Sequence, residues 1–283
     1  MNNFLQRILS TVIICSLAIP FVLYVENGVV YLFFPFAIAG LFEYTLLCTT
    51  YLTEPFFAYV ESRNSPTLWD ILIRVTFSSF PILIFLKHRF LTPDFVSEAV
   101  VFCFHYLLMF PQISDFHVQF EETLIGIIWI CPSVIICMQY GLEDPMKLII
   151  ICTMTWMADG GGMIFGKIFG NTISQPSFMN FLQKISPNKT IEGIFGGYIF
   201  SILSAYGFSF IPLKFEANLF VLCIICATMG QIGDLVESAF KRWKGIKDSR
   251  MFWTPLHYFG GIMDRCDSIF FALPATYLYL KGF

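Results

Sequence analysis

Long apolar stretches constrain the fold of this chain more than any other feature of its sequence. Nine stretches read as candidate spans, because a helix needs about 20 mostly apolar residues to cross a bilayer. They are approximately 8–25, 29–48, 68–86, 95–110, 124–140, 147–169, 191–212, 215–236 and 267–280. Hydrophobic residues make up 57% of the chain and charged residues 13%, whereas a soluble domain is about 45–50% apolar and about 25% charged. The sequence therefore predicts an all-α polytopic membrane protein with about nine transmembrane helices, with eight and ten as alternatives.

The distribution of Lys and Arg predicts the orientation of these helices. If the N-terminus lies in the cytoplasm, the cytoplasmic loops hold 11 Lys and Arg residues and the opposite loops hold 5. Short cytoplasmic loops carry the excess of basic residues in membrane proteins. We therefore expect the polar site of the second half to face the cytoplasm, and we expect a bacterial inner membrane as the location.

The chain divides into two regions by chemical content. Residues 1–145 are predicted to be an N-terminal transmembrane region of unassigned role. Glu43 and Arg74 lie within its spans, where snorkelling or helix pairing is favoured over catalysis. The motifs that carry chemistry fall in residues 146–283, which we predict to be the transmembrane catalytic region.

The most polar part of the chain is the stretch of 34 residues from Asp234 to Asp267, of which 11 are charged. On helices, Asp234, Ser238 and Lys241 share one face, and Asp264 and Asp267 share another. Carboxylates that hold Mg²⁺ beside basic groups that hold phosphate oxygens are typical of phosphoryl or nucleotidyl transfer. A juxtamembrane loop that binds anionic lipid headgroups is the alternative, but it explains poorly why aspartates occur at both membrane edges.

Two further polar clusters precede this stretch. Asp159 is followed by three glycines, which allow either close approach of a bound group to the backbone or close packing of a kinked helix. Residues 186–193 place a lysine and two hydroxyl groups before a helix, where the helix dipole favours anions. A polar turn that leads into a Gly193-xxx-Gly197 packing face is the alternative for this second cluster.

Cysteine and histidine do not predict a metal or redox centre. The nine cysteines lie mostly inside apolar runs, where Cys behaves as a small hydrophobic residue. No two of the four histidines have the i, i+4 spacing of a helical zinc site.

Taken together, these motifs resemble the phosphatidate cytidylyltransferase family of integral membrane enzymes, also called CDP-diacylglycerol synthases. The matching positions of its C-terminal signature are Ser238, Lys241, Arg242, Lys247, Asp248, Pro255, His257, Gly260, Gly261, Asp264, Arg265 and Asp267. The segments 231–234, 159–170 and 186–193 are similar to further motifs of the family, so the resemblance covers about residues 155–268. This sequence departs from the family in having Arg250 in place of a glycine and about three additional residues between Asp248 and Asp264.

The resemblance implies transfer of CMP from CTP to phosphatidate, which yields CDP-diacylglycerol and pyrophosphate. The alternatives are a related CTP-dependent nucleotidyltransferase that acts on another lipid phosphate and, from a different class, a membrane transporter of an anionic solute. Mg²⁺ is the expected cofactor, and the resemblance also implies a monovalent cation. The expected partners are CTP, phosphatidate, membrane lipids and a second copy of the chain in a homodimer. No nucleic acid is expected.

The expected site residues fall into three groups. Asp234, Asp264 and Asp267 are predicted to bind the metal, and Asp159 is predicted to be a further catalytic acid near it. The basic catalytic residues, which would hold phosphate oxygens, are Lys241, Arg242, Lys247 and Arg265. The predicted substrate-binding residues are Ser186, Lys189, Thr190, Ser238, Asp248 and His257.

Overall fold

The computed structural model describes residues 16, 18–25, 27–49, 68–90, 116–170, 177–212, 217–244 and 261–282. Within these ranges the chain is helical, with no strand, and residues 18–24 include helical turns. The first four helices are α1 (Gly28–Thr49), α2 (Leu68–Phe90), α3 (Phe116–Glu143) and α4 (Pro145–Phe169). The remaining four are α5 (Ser177–Ile185), α6 (Ile191–Phe208), α7 (Leu219–Trp243) and α8 (Met263–Lys281). The predicted all-α class is therefore confirmed for the described residues.

Five of these helices are long and apolar enough to cross a membrane. The spans are Gly28–Cys48, Glu122–Glu143, Pro145–Phe169, Ile191–Phe208 and Leu219–Trp243. They coincide with the second, fifth, sixth, seventh and eighth predicted spans, so the protein is a multi-pass integral membrane protein. Helices α2 and α8 occupy the third and ninth predicted spans, but charged residues shorten their apolar length. The fourth predicted span, 95–110, and part of the first lie outside the described residues.

Three helices of the catalytic half, α4, α6 and α7, start with a residue whose side chain caps the helix N-terminus. The Asp144 carboxylate accepts a hydrogen bond from the backbone N–H of Met146 at 3.2 Å, at the start of α4. The Thr190 hydroxyl accepts one from Gly193 at 3.2 Å, at the start of α6. Asn218 does the same for the first turn of α7. These residue types are preferred at helix N-termini because they satisfy backbone donors that have no intrahelical partner.

Glycine allows α4 and α6 to pack with their backbones almost in contact. A Cβ atom on Gly193 would lie 2.9 Å from the carbonyl oxygen of Gly162, and one on Gly162 would lie 3.2 Å from that of Gly193. Helix α4 continues unbroken through residues 160–162. Gly161 and Gly162 therefore serve close packing of α4 against α6, one of the two interpretations of the cluster after Asp159, whereas Gly160 has open space around it.

The helices form two groups that meet through α3 and α8. Helices α4, α6, α7 and α8 pack together and hold the predicted site, whereas α1, α2 and α3 pack against one another. Between α2 and α3, Arg74 pairs with Glu122 at 3.4 Å, and both side chains are buried. This ion pair agrees with the helix-pairing role predicted for Arg74.

Candidate active site

Seven charged side chains from four parts of the chain form the core of the candidate site. They come from α4, from the turn before α6, from the second half of α7 and from the first turns of α8. The residues are Asp159, Lys189, Asp234, Glu237, Lys241, Asp264 and Asp267. The three motifs identified in the sequence are therefore brought together in space.

Lys241 lies between two carboxylates. Its Nζ is 2.6 Å from Oε2 of Glu237, one turn earlier on α7, and 2.7 Å from Oδ1 of Asp264 on α8. The side chain of Glu237 is 1% exposed, and those of Lys241 and Asp264 are 11% and 18% exposed. Because the surroundings exclude most water, these interactions are screened less than they would be at a surface. Lys241 thus ties α7 to α8 at the site.

A second ion pair joins the turn before α6 to α7. Nζ of Lys189 lies 2.5 Å from Oδ2 of Asp234, and both side chains retain access to solvent. The carbonyl oxygen of Lys189 accepts a hydrogen bond from the Gln183 side chain at 3.2 Å, and its N–H donates to Ser186 at 3.1 Å. The backbone of this turn is thus fixed, and Lys189 can reach the α7 carboxylate.

Ser268 connects two more carboxylates. Its hydroxyl donates to Oδ2 of Asp159 on α4 at 2.5 Å, and its oxygen lies 3.1 Å from Oδ1 of Asp267. The backbone N–H of Ser268 donates to the same Oδ1 at 2.7 Å. A hydroxyl carries one hydrogen, and the shorter distance assigns that hydrogen to Asp159. Asp159 and Asp267 are therefore held side by side by one serine.

Close contact between α7 and α8 places Asp234 near this pair. A Cβ atom on Gly233 would collide with the carbonyl oxygen of Asp267, so only glycine fits there without displacement of a helix. As a result, Asp234 and Asp159 both lie near enough to interact electrostatically with Asp267. The carboxylates of α4, α7 and α8 form one group, which the two lysines partly neutralise.

The other predicted residues occupy the margin of this cluster or lie beyond the described ranges. Ser238 and Arg265 are partly buried on α7 and α8, whereas Arg242 is exposed and its Nε donates to the carbonyl oxygen of Ile185 at 3.4 Å. Thr190 is buried and caps α6, and Ser186 contributes to the turn through its backbone. Lys247, Asp248 and His257 lie outside the described residues.

Two residues at the site, Glu237 and Ser268, were not predicted from the sequence. Glu237 follows Asp234 by three positions and precedes Lys241 by four, so the helical spacing that grouped those two residues also pointed to it. Ser268 follows Asp267 directly, but nothing in the local sequence indicates that its hydroxyl reaches another helix.

The donor atoms of the cluster suit Mg²⁺. Among the described residues, no three His, Cys, Asp or Glu side chains converge as a complete metal site. Mg²⁺ does not need one, because it commonly binds one or two carboxylates together with water and substrate phosphates. The cluster offers only oxygen ligands, and the buried Oε1 of Glu237 has no hydrogen-bond partner. The residues present therefore fit a magnesium ion that arrives with a phosphate substrate.

The fold and the site together indicate a class of protein. The chain is a multi-pass membrane protein in which three helices and one turn carry a cluster of carboxylates and lysines suited to phosphate chemistry. The model of the cytidylyltransferase family matches residues 5–283, and the chain belongs to that family.

Several bacterial relatives have the same printed name, phosphatidate cytidylyltransferase. The Bacillus subtilis protein is 30% identical over 252 residues, which cover 81% of this chain and 90% of that relative. The Staphylococcus epidermidis protein is 44% identical over 129 residues, and the Staphylococcus haemolyticus protein is 42% identical over 130. Each staphylococcal alignment covers 45% of this chain and 46% of the relative, so in these matches the chain spans about half of the relative's length. The predicted family is thereby confirmed.

Proposed function

We propose that this protein transfers CMP from CTP to phosphatidate, with release of CDP-diacylglycerol and pyrophosphate. Membership of the cytidylyltransferase family and the names of the bacterial relatives support this activity. The structural observation that carries the proposal is the joining of Lys189 to Asp234 and of Lys241 to Asp264 in one cluster. These four residues come from two motifs and lie on α7, on α8 and on the turn before α6, and two anionic substrates need this combination of charges.

The reaction requires no nucleophile from the protein. A phosphate oxygen of phosphatidate attacks the α-phosphorus of CTP, the bond from that phosphorus to the bridging oxygen of the β-phosphate breaks, and pyrophosphate leaves with the bonding electron pair. The difficulty is electrostatic, since two unit negative charges at about 4 Å repel by about 4 kcal/mol at an effective dielectric constant of about 20. Catalysis is then mainly positioning and charge neutralisation.

The two lysines are the groups of this chain best placed for that neutralisation. In the structure Lys189 is paired with one carboxylate and Lys241 with two, so an entering phosphate can replace a carboxylate as a partner of each ammonium group. Lys189 stands on a turn fixed by its own backbone contacts, and Lys241 is held from both sides. We assign Lys189 to the triphosphate of CTP and Lys241 to the phosphates at the reacting centre.

Release of the lysines leaves Asp234 and Asp264 able to hold Mg²⁺, with Asp267 beside them. When bound, the ion would offset negative charge on the reacting phosphates. Asp159, bound by the Ser268 hydroxyl, keeps Asp267 in place. Lys247, Arg265 and Arg242 are proposed to complete the basic ring around the phosphates, and Asp248 and His257 to contact substrate from the segment between α7 and α8.

The proposed reaction also bears on which side of the membrane the site faces. CTP is a cytoplasmic metabolite, and the excess of Lys and Arg in the loops on one side also favours a cytoplasmic site. We propose about nine spans, as the apolar stretches imply, a homodimer, as the family implies, and a bacterial inner membrane location, in keeping with the bacterial relatives.

The decisive assay uses the purified full chain in lipid nanodiscs with Mg²⁺, phosphatidate and CTP labelled on the α-phosphate. The expected result is labelled CDP-lipid and one pyrophosphate per CMP transferred, and loss of both in the Asp264→Asn variant. Absence of CDP-lipid from folded protein would contradict the proposal. Faster turnover with another lipid phosphate would identify a related nucleotidyltransferase, and uptake of labelled anion into vesicles without CDP-lipid would indicate a transporter.

A further inference from the structure

The first turn of α8 is capped by a residue from the other half of the protein. Ile262, at the N-cap position of α8, makes no side-chain cap of its own. Instead, Oε2 of Glu43 on α1 accepts a hydrogen bond from the Ile262 backbone N–H at 2.7 Å. Glu43 is 3% exposed. A buried carboxylate at this position satisfies an otherwise unpaired donor and interacts favourably with the helix dipole.

The last turn of α7 is held by a second glutamate from the same half. Nζ of Lys244, which directly follows α7, lies 2.5 Å from Oε1 of Glu122 on α3. The other carboxylate oxygen of Glu122 contacts Arg74 on α2 at 3.4 Å. The Lys244 ammonium also donates to the carbonyl oxygen of Cys48 at 3.4 Å, near the end of α1. Three helices of the N-terminal half therefore converge on the end of α7.

Tyr44 connects the two anchors. Its hydroxyl donates to the backbone carbonyl oxygen of Glu122 at 2.7 Å. Its ring stacks on that of Phe240 with centroids 5.5 Å apart, and Phe240 precedes Lys241 directly. Tyr44 itself follows Glu43 directly. The contacts to α7 and to α8 thus arise from one rigid patch of the N-terminal half.

These anchors bracket the Lys241–Asp264 contact. Lys244 lies three residues after Lys241, and Ile262 lies two residues before Asp264. We propose that Glu43 and Glu122 are positioning residues, which fix the end of α7 and the start of α8 and thereby set the geometry of the Lys241–Asp264 pair. This assigns a role to the N-terminal half, and it rests on the proposed function only in calling that pair part of the active site.

Charged anchors at these two points favour positioning over simple packing. Buried ion pairs can often be replaced by apolar residues without loss of stability, so the presence of charge at these points is weak evidence for a role in folding alone. A hydrogen bond to a backbone N–H and an ion pair to a single ammonium do, however, fix direction and distance, which apolar contacts do not. Misplacement of a reacting group by about 1 Å can reduce turnover by about 100-fold.

The test uses substitutions that remove one anchor at a time. Glu43→Leu removes the acceptor for Ile262, Glu43→Gln keeps a neutral acceptor, and Lys244→Met removes the ion pair while Arg74 still balances Glu122. The matched control is Glu143→Gln, because Glu143 pairs with Gln139 at 2.9 Å at the opposite end of α3. For each variant, kcat and KM are measured in nanodiscs, together with hydrogen–deuterium exchange of the peptides that contain the end of α7 and the start of α8.

We expect kcat to fall by about 10- to 100-fold in Glu43→Leu and Lys244→Met, with a smaller fall in Glu43→Gln and wild-type behaviour in Glu143→Gln. Exchange should accelerate at the start of α8 in Glu43→Leu and at the end of α7 in Lys244→Met, while the rest of the protein stays protected. Unchanged kcat, unchanged exchange at these ends, or a loss explained wholly by a smaller folded fraction would overturn the proposal. If the wild-type protein makes no CDP-lipid, the proposed function fails, and the exchange data alone then decide whether the anchors exist.

Discussion

Removal of the Lys241 charge should destabilise the protein by exposing two carboxylates to each other. Oε2 of Glu237 and Oδ1 of Asp264 contact the same nitrogen at 2.6 and 2.7 Å, so these two oxygens are no more than 5.3 Å apart. At that separation and an effective dielectric constant of about 20, two unit charges repel by at least about 3 kcal/mol. In Lys241→Met this repulsion is no longer offset. A buried carboxyl group beside another carboxylate can take up a proton and so relieve part of this repulsion, and we therefore expect the free energy of unfolding to fall by at most about 3 kcal/mol.

Thermal unfolding measures this effect. A loss of about 3 kcal/mol corresponds to a fall in Tm of about 5–10 °C for a chain of this size. Addition of Asp264→Asn to Lys241→Met removes one of the two charges, so the double variant should recover most of the lost Tm. It should recover no activity, because both groups are assigned to the reacting centre. The control is Lys281→Met, since Lys281 is exposed at the end of α8 and its Nζ lies 5.6 Å from the Tyr277 ring centroid, so its loss should change Tm far less than the loss of Lys241.

Two outcomes would refute this reasoning. A Tm for Lys241→Met equal to that of the Lys281→Met control would mean that the two carboxylates do not repel as described. A double variant less stable than Lys241→Met would mean that Asp264 contributes to folding by a contact other than the one to Lys241.

Two further predictions concern the other parts of the site. Lys189→Met should raise KM for CTP at least about tenfold, since loss of a charged hydrogen bond costs about 1.5–3 kcal/mol; an unchanged KM would remove Lys189 from the triphosphate site, and exposed Lys184 provides the control substitution. Gly193→Ala should lower Tm by several degrees, because its new Cβ would lie 2.9 Å from a backbone carbonyl oxygen of α4 and overpacking costs about 1–3 kcal/mol. Gly207→Ala, which has open space around it, should not lower Tm, and equal Tm values for the two alanine variants would contradict this account of the α4–α6 contact.

Much of the helical architecture could be predicted from the sequence, because in lipid a chain segment must satisfy its backbone hydrogen bonds internally. Apolar length therefore identifies spans such as Pro145–Phe169 and Leu219–Trp243. The helical repeat alone groups Asp234 with Lys241, and the same repeat places Glu237 between them on the same side of the helix. The glycines after Asp159 allow two interpretations in the sequence, and only the close approach of α6 shows that Gly161 and Gly162 serve helix packing.

The ion-pair and hydrogen-bond partners of these residues on other helices could not be predicted from the sequence. Lys241 forms an ion pair with Asp264 rather than with Asp267. This choice depends on how far α8 is shifted along α7, and the close contact at Gly233 sets that shift. That Ser268 binds Asp159 depends on the packing of α8 beside α4. The contacts of Glu43 with Ile262 and of Glu122 with Lys244 join residues that lie 219 and 122 positions apart, and no local pattern encodes such a pairing.

The sequence by itself thus determined the membrane-embedded helical class, the family and most of the residues that form the candidate site, because hydrophobic length, helical periodicity and motif spacing are local properties. Tertiary structure decided which carboxylate each lysine neutralises and which half of the protein holds the site in place. The physical reason is that an ion pair depends on distances of a few ångströms between helices. Those distances are fixed by backbone contacts at glycines such as Gly193 and Gly233, whose partners lie far away in the chain.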